Sequence, residues 1–399
     1  MKSPRLILLI GLCLPLIGVS IRPARAATTL VFWHSWRGAD ADLLATWITD
    51  FTAKNQDILI AAQFVPFDQL LSRLESAPAD SRPDFVIGPS DWASELVAKG
   101  LLNPIEGKVD ASFKFSPPAR FGATVSGDLY AVPETLEGIA LYYNKALIGD
   151  AKPPTTLDDL LASARTLGKG DTVGLLMDGS FYATAGIFFA QGGTIFSGTQ
   201  LAVTDANALK AYLTTASKLV QGGKDSGIQI TPSTSAFIAG KAAYLIEGSW
   251  RLREMEMALG DKLGVALLPG VNGAAWSPFV RSTQFYFVAK TLRLTYALNF
   301  AQYAAGADQG AIVAQKTGRI PANPDARPGD PSIATFMKQF AAGTIIPTRR
   351  EMGRLWEPLD RAVAEVIAGG EPIDQTVSRT RDALLTAIGT PATSTPAPG

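Results

Sequence analysis

The stretch Gly127-Asp-Leu-Tyr-Ala-Val-Pro-Glu-Thr-Leu-Glu-Gly-Ile-Ala-Leu-Tyr-Tyr-Asn-Lys145 marks the point at which the chain divides. Two apolar runs within it, 129–132 and 139–143, are typical of β-strands. The segment between them lacks the Asn-Gly or Gly-X pair of a two-residue hairpin, and Pro133 and Gly138 both weaken a sheet ladder. We therefore predict that the chain crosses here from one compact unit to another and carries two carboxylates through the crossing.

Strands and helices alternate before this crossing. Apolar runs predict strands at 29–33, 58–65 and 84–87. Helical spacing of apolar residues predicts helices at 39–54 and 67–77, with a short helix at 91–99. This order predicts the α/β class, with a mostly parallel sheet covered by helices on both faces. Ligands of such sheets bind beyond the carboxyl ends of the strands. Those segments are 35–39, 66–69 and 88–92.

The chain after the crossing predicts a second α/β unit and a helical end. The predicted strands are 172–177, 242–247, 263–267 and 283–289, the last of which crosses back. The predicted helices are 157–167, 182–191, 205–221, 234–239, 294–305, 331–342, 358–368 and 374–388. Residues 390–399 are rich in Pro, Thr and Ala, and we predict a disordered tail.

The first 26 residues are typical of a secretory signal peptide. Lys2 and Arg5 precede an apolar run at 6–19, and Ala24-Arg25-Ala26 is a suitable cleavage site. The run is shorter than the roughly 20 residues of a membrane span. We expect export and removal of 1–26, which leaves a mature chain without cysteine because Cys13 lies in the signal.

The charge balance excludes several classes of function. Removal of residues 1–26 takes away four basic and no acidic side chains, leaving 32 basic and 36 acidic residues. Such a chain is not expected to bind nucleic acid. No other apolar run approaches the length of a membrane span, so we do not expect the mature chain to insert into a membrane. His34 is the single histidine, so a zinc site of the usual composition is not expected. Tyr142 and Tyr143 are neighbours on a strand and point to opposite faces, which argues against an iron site. We expect neither a metal nor a cofactor.

Eight short motifs in order resemble those of extracellular solute-binding proteins of the maltose-binding-protein type, which feed carbohydrates to ABC importers. Besides the crossing, they include Leu30-Val-Phe-Trp-His34, Pro83-Asp-Phe-Val86, Glu247-Gly-Ser-Trp250 and Phe340-Ala-Ala-Gly-Thr-Ile-Ile-Pro347. The resemblance implies a periplasmic monomer that captures a di- or oligosaccharide or a glycosylated polyol by closing a cleft and delivers it to the permease subunits of an ABC importer. It also implies the two-lobed periplasmic-binding-protein fold, or Venus flytrap, with discontinuous lobes joined by a three-crossover hinge. We place the N-lobe at 27–135 and 282–323 and the C-lobe at 136–281 and 324–389.

The resemblance also implies ligand contacts. Positions matching Trp250 and Trp356 stack on sugar rings in this family, and the one matching Tyr182 is a further aromatic contact. Positions matching Asp91 and Glu137 bind hydroxyl groups. These residue types suit a sugar, because carboxylates pair with hydroxyls and aromatic rings cover the apolar faces.

The segments beyond the first and third strands depart from the family pattern. Ser35, Trp36 and Arg37 follow the first strand and are further candidates for ligand contact. Gly88 replaces a family tryptophan, and Trp92 replaces a family arginine, which together predict a reshaped subsite. Trp92, four residues further on, is itself a candidate for ligand contact. His34 is either a hydrogen-bonding residue at the rim of the cleft or a structural residue.

Three other functions stay open from the sequence. Arg37 keeps a glycerol-3-phosphate-type binding protein for phosphorylated polyols as the alternative. A secreted glycosidase would use Glu134 and Glu137 as its two carboxyl groups, although no nucleophile or cofactor motif accompanies them. A metal-binding protein is the third.

Overall fold

The structure, a computed structural model, describes residues 27–198, 200–220, 227–369 and 371–389. The predicted signal peptide and tail lie outside these residues. The strands are β1 Thr28–His34, β2 Ile58–Phe64, β3 Phe85–Pro89, β4 Thr124–Val125, β5 Asp128–Leu129, β6 Ala131–Asn144, β7 Val173–Met177, β8 Phe196–Ser197, β9 Gln200–Leu201, β10 Ile228–Ile230, β11 Ala242–Gly248, β12 Leu263–Ala266, β13 Phe279–Phe287, β14 Ile320–Pro321 and β15 Thr344–Ile345. The helices are α1 Ala39–Lys54, α2 Phe67–Ser76, α3 Ala93–Ala98, α4 Pro117–Gly122, α5 Lys145–Ile148, α6 Leu157–Leu167, α7 Phe181–Ala190, α8 Ala206–Ser217, α9 Ser235–Ile238, α10 Leu252–Leu259, α11 Leu294–Ala304, α12 Ala307–Thr317, α13 Pro331–Ala341, α14 Met352–Ala368 and α15 Ile373–Gly389.

One large mixed sheet runs through the molecule in the order β10-β7-β11-β6-β13-β3-β1-β2. Strands β1, β2 and β3 are parallel to one another at one end, and β7, β10 and β11 are parallel at the other. Strands β6 and β13 are antiparallel to each other and join the two ends. The predicted alternation of strands and helices is confirmed. Strands β3 and β11 end beside the β6–β13 pair, with Pro89 opposite Thr283 and Gly248 opposite Ile139.

Strand β6 is continuous through the predicted crossing, so the prediction of two separate strands at 129–132 and 139–143 is wrong. A β-bulge accommodates Pro133, because Pro133 lies opposite Gln284 whereas Thr135 lies opposite Thr283. Glu134 is the extra residue at this point.

The bulge sets the pairing of every later residue of β6. Because Glu134 is extra, Glu137 lies opposite Arg281, whereas an unbulged ladder would place it opposite Val280. Gly138 then allows a close approach: a Cβ there would lie 2.8 Å from the carbonyl oxygen of Phe279. The glycine therefore permits strand pairing at the crossing.

A buried ion pair holds the bulge. Arg319 Nη1 donates to Glu134 Oε2 and, at 3.3 Å, to Thr135 Oγ1, while its Nε donates to Asp40 Oδ1 at 2.8 Å. The carboxyl group of Glu134 is fully buried. Burial raises the pKa of Glu134, and the charge of Arg319 opposes that rise. The guanidinium also lies over the Trp36 ring, 5.3 Å from its centroid.

Several helices differ from the sequence predictions. Helix α14 begins at Met352 and contains Pro358, so the prediction of a helix starting at that proline is wrong and Trp356 is helical. Helices α4, α5, α10 and α12 were not predicted. The longest of these is α12. Its mixed small and polar residues give a weak apolar stripe, and only Gly310, Val313 and Ala314 are buried along it.

The apolar core forms separate clusters on either side of the crossing. One cluster draws on 30–132 and 285–313, and a second draws on 139–279 and 352–384. A third packs β6 against α13 around Tyr142, Phe336 and Phe340. The lobe boundaries that we placed at 135, 281 and 323 remain a prediction.

We predict that Arg319→Met lowers the free energy of unfolding by about 3–5 kcal/mol, because it leaves the Glu134 carboxylate buried without its partner. Urea denaturation followed by tryptophan fluorescence measures this loss. Arg361→Met is the matched control, since Arg361 pairs with Glu357 on the exposed surface of α14 and such pairs contribute about 0–1 kcal/mol. Equal effects of the two variants would contradict a stabilising role for the buried pair.

The loss should also depend on pH. Without Arg319 the pKa of Glu134 rises further in the folded state, so the folded protein holds a proton that the unfolded chain releases. Stability of the variant relative to the parent protein therefore falls as the pH rises, and the loss is smaller at about pH 5 than at about pH 8. Adding Glu134→Gln to Arg319→Met should flatten this difference.

Candidate ligand-binding site

The centre of the candidate site is a pair of opposite charges on the crossing strands. Arg281 of β13 lies opposite Glu137 of β6, and its Nη2 donates to Glu137 Oε2 at 2.9 Å. Their side chains are 44% and 30% exposed, so solvent or a ligand reaches both. Sequence reasoning identified Glu137 but missed Arg281.

Asp91 joins this pair from the end of β3. It lies in the short 3-10 turn Ser90–Trp92, and the hydroxyl of Ser90 accepts a hydrogen bond from the backbone N–H of Ser282 at 3.2 Å. Burial raises the pKa of Asp91, the charge of Arg281 opposes the rise, and the charge of Glu137 adds to it. Asp91 Oδ1 is buried and has no hydrogen-bond partner within the protein. The turn therefore presents an acceptor that lacks a donor.

Three aromatic rings approach from the other side of the crossing. Strand β11 ends at Gly248, opposite Ile139 of β6, so the residues after it lie close to Glu137. The Tyr182 ring is 6.2 Å from the Trp250 ring and 6.5 Å from the Trp356 ring. The charges of both Arg281 and Glu137 act on the Tyr182 hydroxyl, whose pKa is raised above all by burial. This hydroxyl stays protonated and keeps its donor.

Local structure fixes these rings in place. The backbone N–H of Phe181 donates to Asp360 Oδ1 at 2.7 Å, which holds the start of α7 against α14 and so brings Tyr182 to Trp356. Trp250 is 52% exposed, and its indole lies over Gly248, where a Cβ would come within 2.1 Å of the ring. Only glycine leaves room for the indole to lie against the end of β11.

A similar arrangement occurs at the end of β3. A Cβ on Gly88 would lie 2.3 Å from the Trp92 ring, so this indole also lies against a glycine. The outer face of Trp92 stacks on Phe67 at 5.7 Å and 23°, and Trp92 is only 9% exposed. Phe67, which is 57% exposed, is therefore the ring that this end of the sheet presents to solvent.

The residues after β1 are tied to the N-terminal core. Trp36 packs edge-to-face on Phe32, Trp47 and Phe285. Ser35 and Trp36 are half-buried. Their direct contact with a ligand remains a prediction.

Arg37 and His34 have different surroundings. Arg37 is exposed, and its guanidinium lies 4.4 Å from the centroid of the Phe64 ring. His34 is buried, stacks on Phe32, and has an Nδ1 without a hydrogen-bond partner. Burial lowers the pKa of His34, which favours the neutral ring.

The structure thus gathers five predicted site residues around Arg281. These are Asp91, Glu137, Tyr182, Trp250 and Trp356. Trp92 is covered by Phe67, Trp36 packs into the core, and Arg37 contacts Phe64. Sequence reasoning missed Arg281 because its partner Glu137 is 144 residues away in the chain. It missed Phe67 because an exposed ring at the start of a helix gives no local sequence pattern.

The described part of the chain has neither a metal-binding cluster nor a membrane-spanning helix. No group of three or more His, Cys, Asp or Glu side chains there is placed to hold a metal ion. No described helix combines the length and the apolar character that a membrane crossing needs.

We predict opposite shifts of the Asp91 pKa in two variants. Arg281→Met should raise it, because the charge that favours the carboxylate is lost, and Glu137→Gln should lower it, because a nearby negative charge is lost. Carboxyl-carbon NMR titration of the ligand-free protein measures both shifts. Arg361→Met serves as the control with no expected shift, and shifts of the same sign in the two site variants would contradict the arrangement.

Comparisons with known proteins agree with this architecture. Residues 46–341 match the family described as bacterial extracellular solute-binding protein. The chain is 25% identical to the galactooligosaccharide-binding protein of Bacillus subtilis (strain 168), covering 90% of this chain and 89% of that protein. It is 25% identical to the maltotriose-binding protein of Pyrococcus abyssi (strain GE5 / Orsay), covering 85% and 77%.

Solved structures show the same fold. The crystal structure of a cyclo/maltodextrin-binding protein complexed with maltotetraose superimposes with a TM-score of 0.82 at 26% identity, covering 92% of this chain and 99% of that one. This confirms the predicted two-lobed α/β fold. The chain belongs to the bacterial extracellular solute-binding protein family.

Proposed function

We propose that this protein is the periplasmic carbohydrate-binding component of an ABC importer. The observation that carries the proposal is the meeting of Asp91, Glu137 and Arg281 with three aromatic rings at one place on the crossing strands. Sugars offer hydroxyl groups that pair with such charges and flat C–H faces that stack on such rings.

Each group has a role in this proposal. Asp91 Oδ1 accepts from a ligand hydroxyl, which removes the cost of roughly 1–3 kcal/mol of a buried unpaired acceptor. Glu137 accepts from, and Arg281 donates to, further hydroxyls. Trp250 stacks on a sugar ring, beside Tyr182 and Trp356.

The names of the relatives support an oligosaccharide as the ligand class. They refer to galactooligosaccharides and maltotriose, and the superimposed structure contains maltotetraose. By the same likeness, the loaded protein delivers its sugar to permease subunits of the importer. We propose that it does so as a monomer and without a cofactor.

We further propose that the ligand closes a cleft. Asp91 lies on one side of the β6–β13 crossing, and Trp250 and Trp356 lie on the other, so a ligand that touches all three bridges the two cores. The closed form is favoured only by the difference in the ligand's affinity for the two forms.

The geometry argues against the two main alternatives. A phosphate group would meet two carboxylates and one arginine at the centre of the site, which is unfavourable for a dianion. A glycosidase needs one carboxyl group as its acid and one as its nucleophile or base. Glu134 is instead held by Arg319 inside the bulge, while Glu137 pairs with Arg281.

A thermal-shift panel tests the ligand class directly. We expect the mature protein to gain several degrees in Tm with α- or β-linked oligosaccharides, since ligand at about 100 times its Kd adds roughly 2.7 kcal/mol of stability. The panel includes monosaccharides, polyols, polyol phosphates and an aryl glycoside. Shifts with phosphates alone would overturn the proposal, as would release of the aryl group.

Small-angle X-ray scattering tests closure. We expect a smaller radius of gyration at saturating oligosaccharide than in the free protein. A sugar that raises Tm but leaves the scattering curve unchanged would contradict the closure step and leave sugar binding intact. Trp250→Ala, which removes one ring contact with the ligand, is measured in the same way at saturating sugar. Its radius of gyration shows how far the protein closes without that contact.

A further inference from the structure

We propose that the outer face of Phe67 is a second stacking subsite, which binds a sugar ring distant from the one on Trp250. The inference rests on the proposed function and narrows it: the ligand is an oligosaccharide of three or more units. On the β3 side of the site, the sugar ring stacks on Phe67, and Trp92 packs behind Phe67 without touching the ligand.

Phe67 is held rigidly in an exposed position. It is the first residue of α2, it is 57% exposed, and its inner face stacks on Trp92. Trp92 in turn lies against Gly88, where even a Cβ would be 2.3 Å from the indole. Because both layers behind it are packed, the phenyl ring loses little conformational freedom when a ligand stacks on it.

The position of Phe67 is continuous with the rest of the site. Strands β1, β2 and β3 are parallel, so Phe67, just after β2, lies at the same sheet edge as Asp91, just after β3. Trp92 links the two directly, since it follows Asp91 in sequence and touches Phe67.

The distance along this edge sets the ligand length. Strand β2 is four strands away from β6 in the sheet, through β1, β3 and β13. At about 4.8 Å per strand this separation is roughly 19 Å, and from β13, which carries Arg281, it is roughly 14 Å. A disaccharide does not span from the Glu137–Arg281 pair to this edge, whereas a chain of three or four sugar units does.

The neighbouring exposed ring does not offer the same surface. Phe64 at the end of β2 is 42% exposed, but the guanidinium of Arg37 lies 4.4 Å from its centroid. Phe67 is therefore the ring at this edge whose outer face suits an apolar sugar face.

Calorimetric titration against two ligand series tests the subsite. The probes are maltose, maltotriose and maltotetraose, and β-linked galactooligosaccharides of the same lengths. The parent protein should bind the tetrasaccharide of its preferred series at least about 5-fold more tightly than the disaccharide. Phe67→Ala should abolish this gain and leave disaccharide affinity within about twofold.

Three further variants sharpen the result. Phe67→Tyr keeps the ring and should keep the gain. Gly88→Ala displaces Trp92 and should reproduce the loss seen with Phe67→Ala. Trp250→Ala should weaken binding at every length, by roughly 5- to 150-fold.

The outcomes separate the two proposals. Equal affinity for di- and tetrasaccharide in the parent protein, or an equal loss at every length in Phe67→Ala, overturns the subsite and leaves the carbohydrate function standing. Absence of binding to any member of both series, with no shift in the thermal panel, overturns both.

Discussion

The pairing of β6 with β13 is the constraint on which the site depends. These two central strands join the two ends of the sheet. The bulge at Glu134 sets their register so that Glu137 lies opposite Arg281. A charged residue buried in a bulge is stable only if it is paired, and Arg319 supplies the partner while also reaching Asp40 at the start of α1. The Arg319–Glu134 pair and the Glu137–Arg281 pair share no atom. They are linked because the bulge that Arg319 holds sets the strand register that brings Glu137 opposite Arg281.

A tryptophan indole packs against a glycine at the ends of two different strands. Gly248 lies under Trp250 two residues later, and Gly88 lies under Trp92 four residues later. In both, the missing Cβ lets an indole lie flat on backbone where a strand gives way to a 3-10 turn. The outcomes differ because Trp250 keeps an open face, whereas Phe67 covers Trp92 and takes its place at the surface.

Local periodicity predicted much of the fold, and the errors have physical causes. Helices α1 and α6 have the predicted bounds, because each carries a regular apolar stripe. Two of the errors involve proline: a bulge accommodates Pro133, and α14 contains Pro358 in its interior. The five residues that meet at the site were predicted from a family resemblance. The resemblance did not indicate Arg281, because its contact with Glu137 forms only when β6 and β13 pair.

The balance of charge in the site favours a neutral, hydroxyl-rich ligand. Asp91 and Glu137 share one cation, and Asp91 keeps a buried oxygen without a donor. An anion would add a third negative charge to a partly desolvated group, whereas a hydroxyl donates to the orphaned oxygen and adds no charge. Because the rings beside these charges are already packed, binding orders few side chains, and more of the interaction free energy remains available for joining the two halves of the molecule.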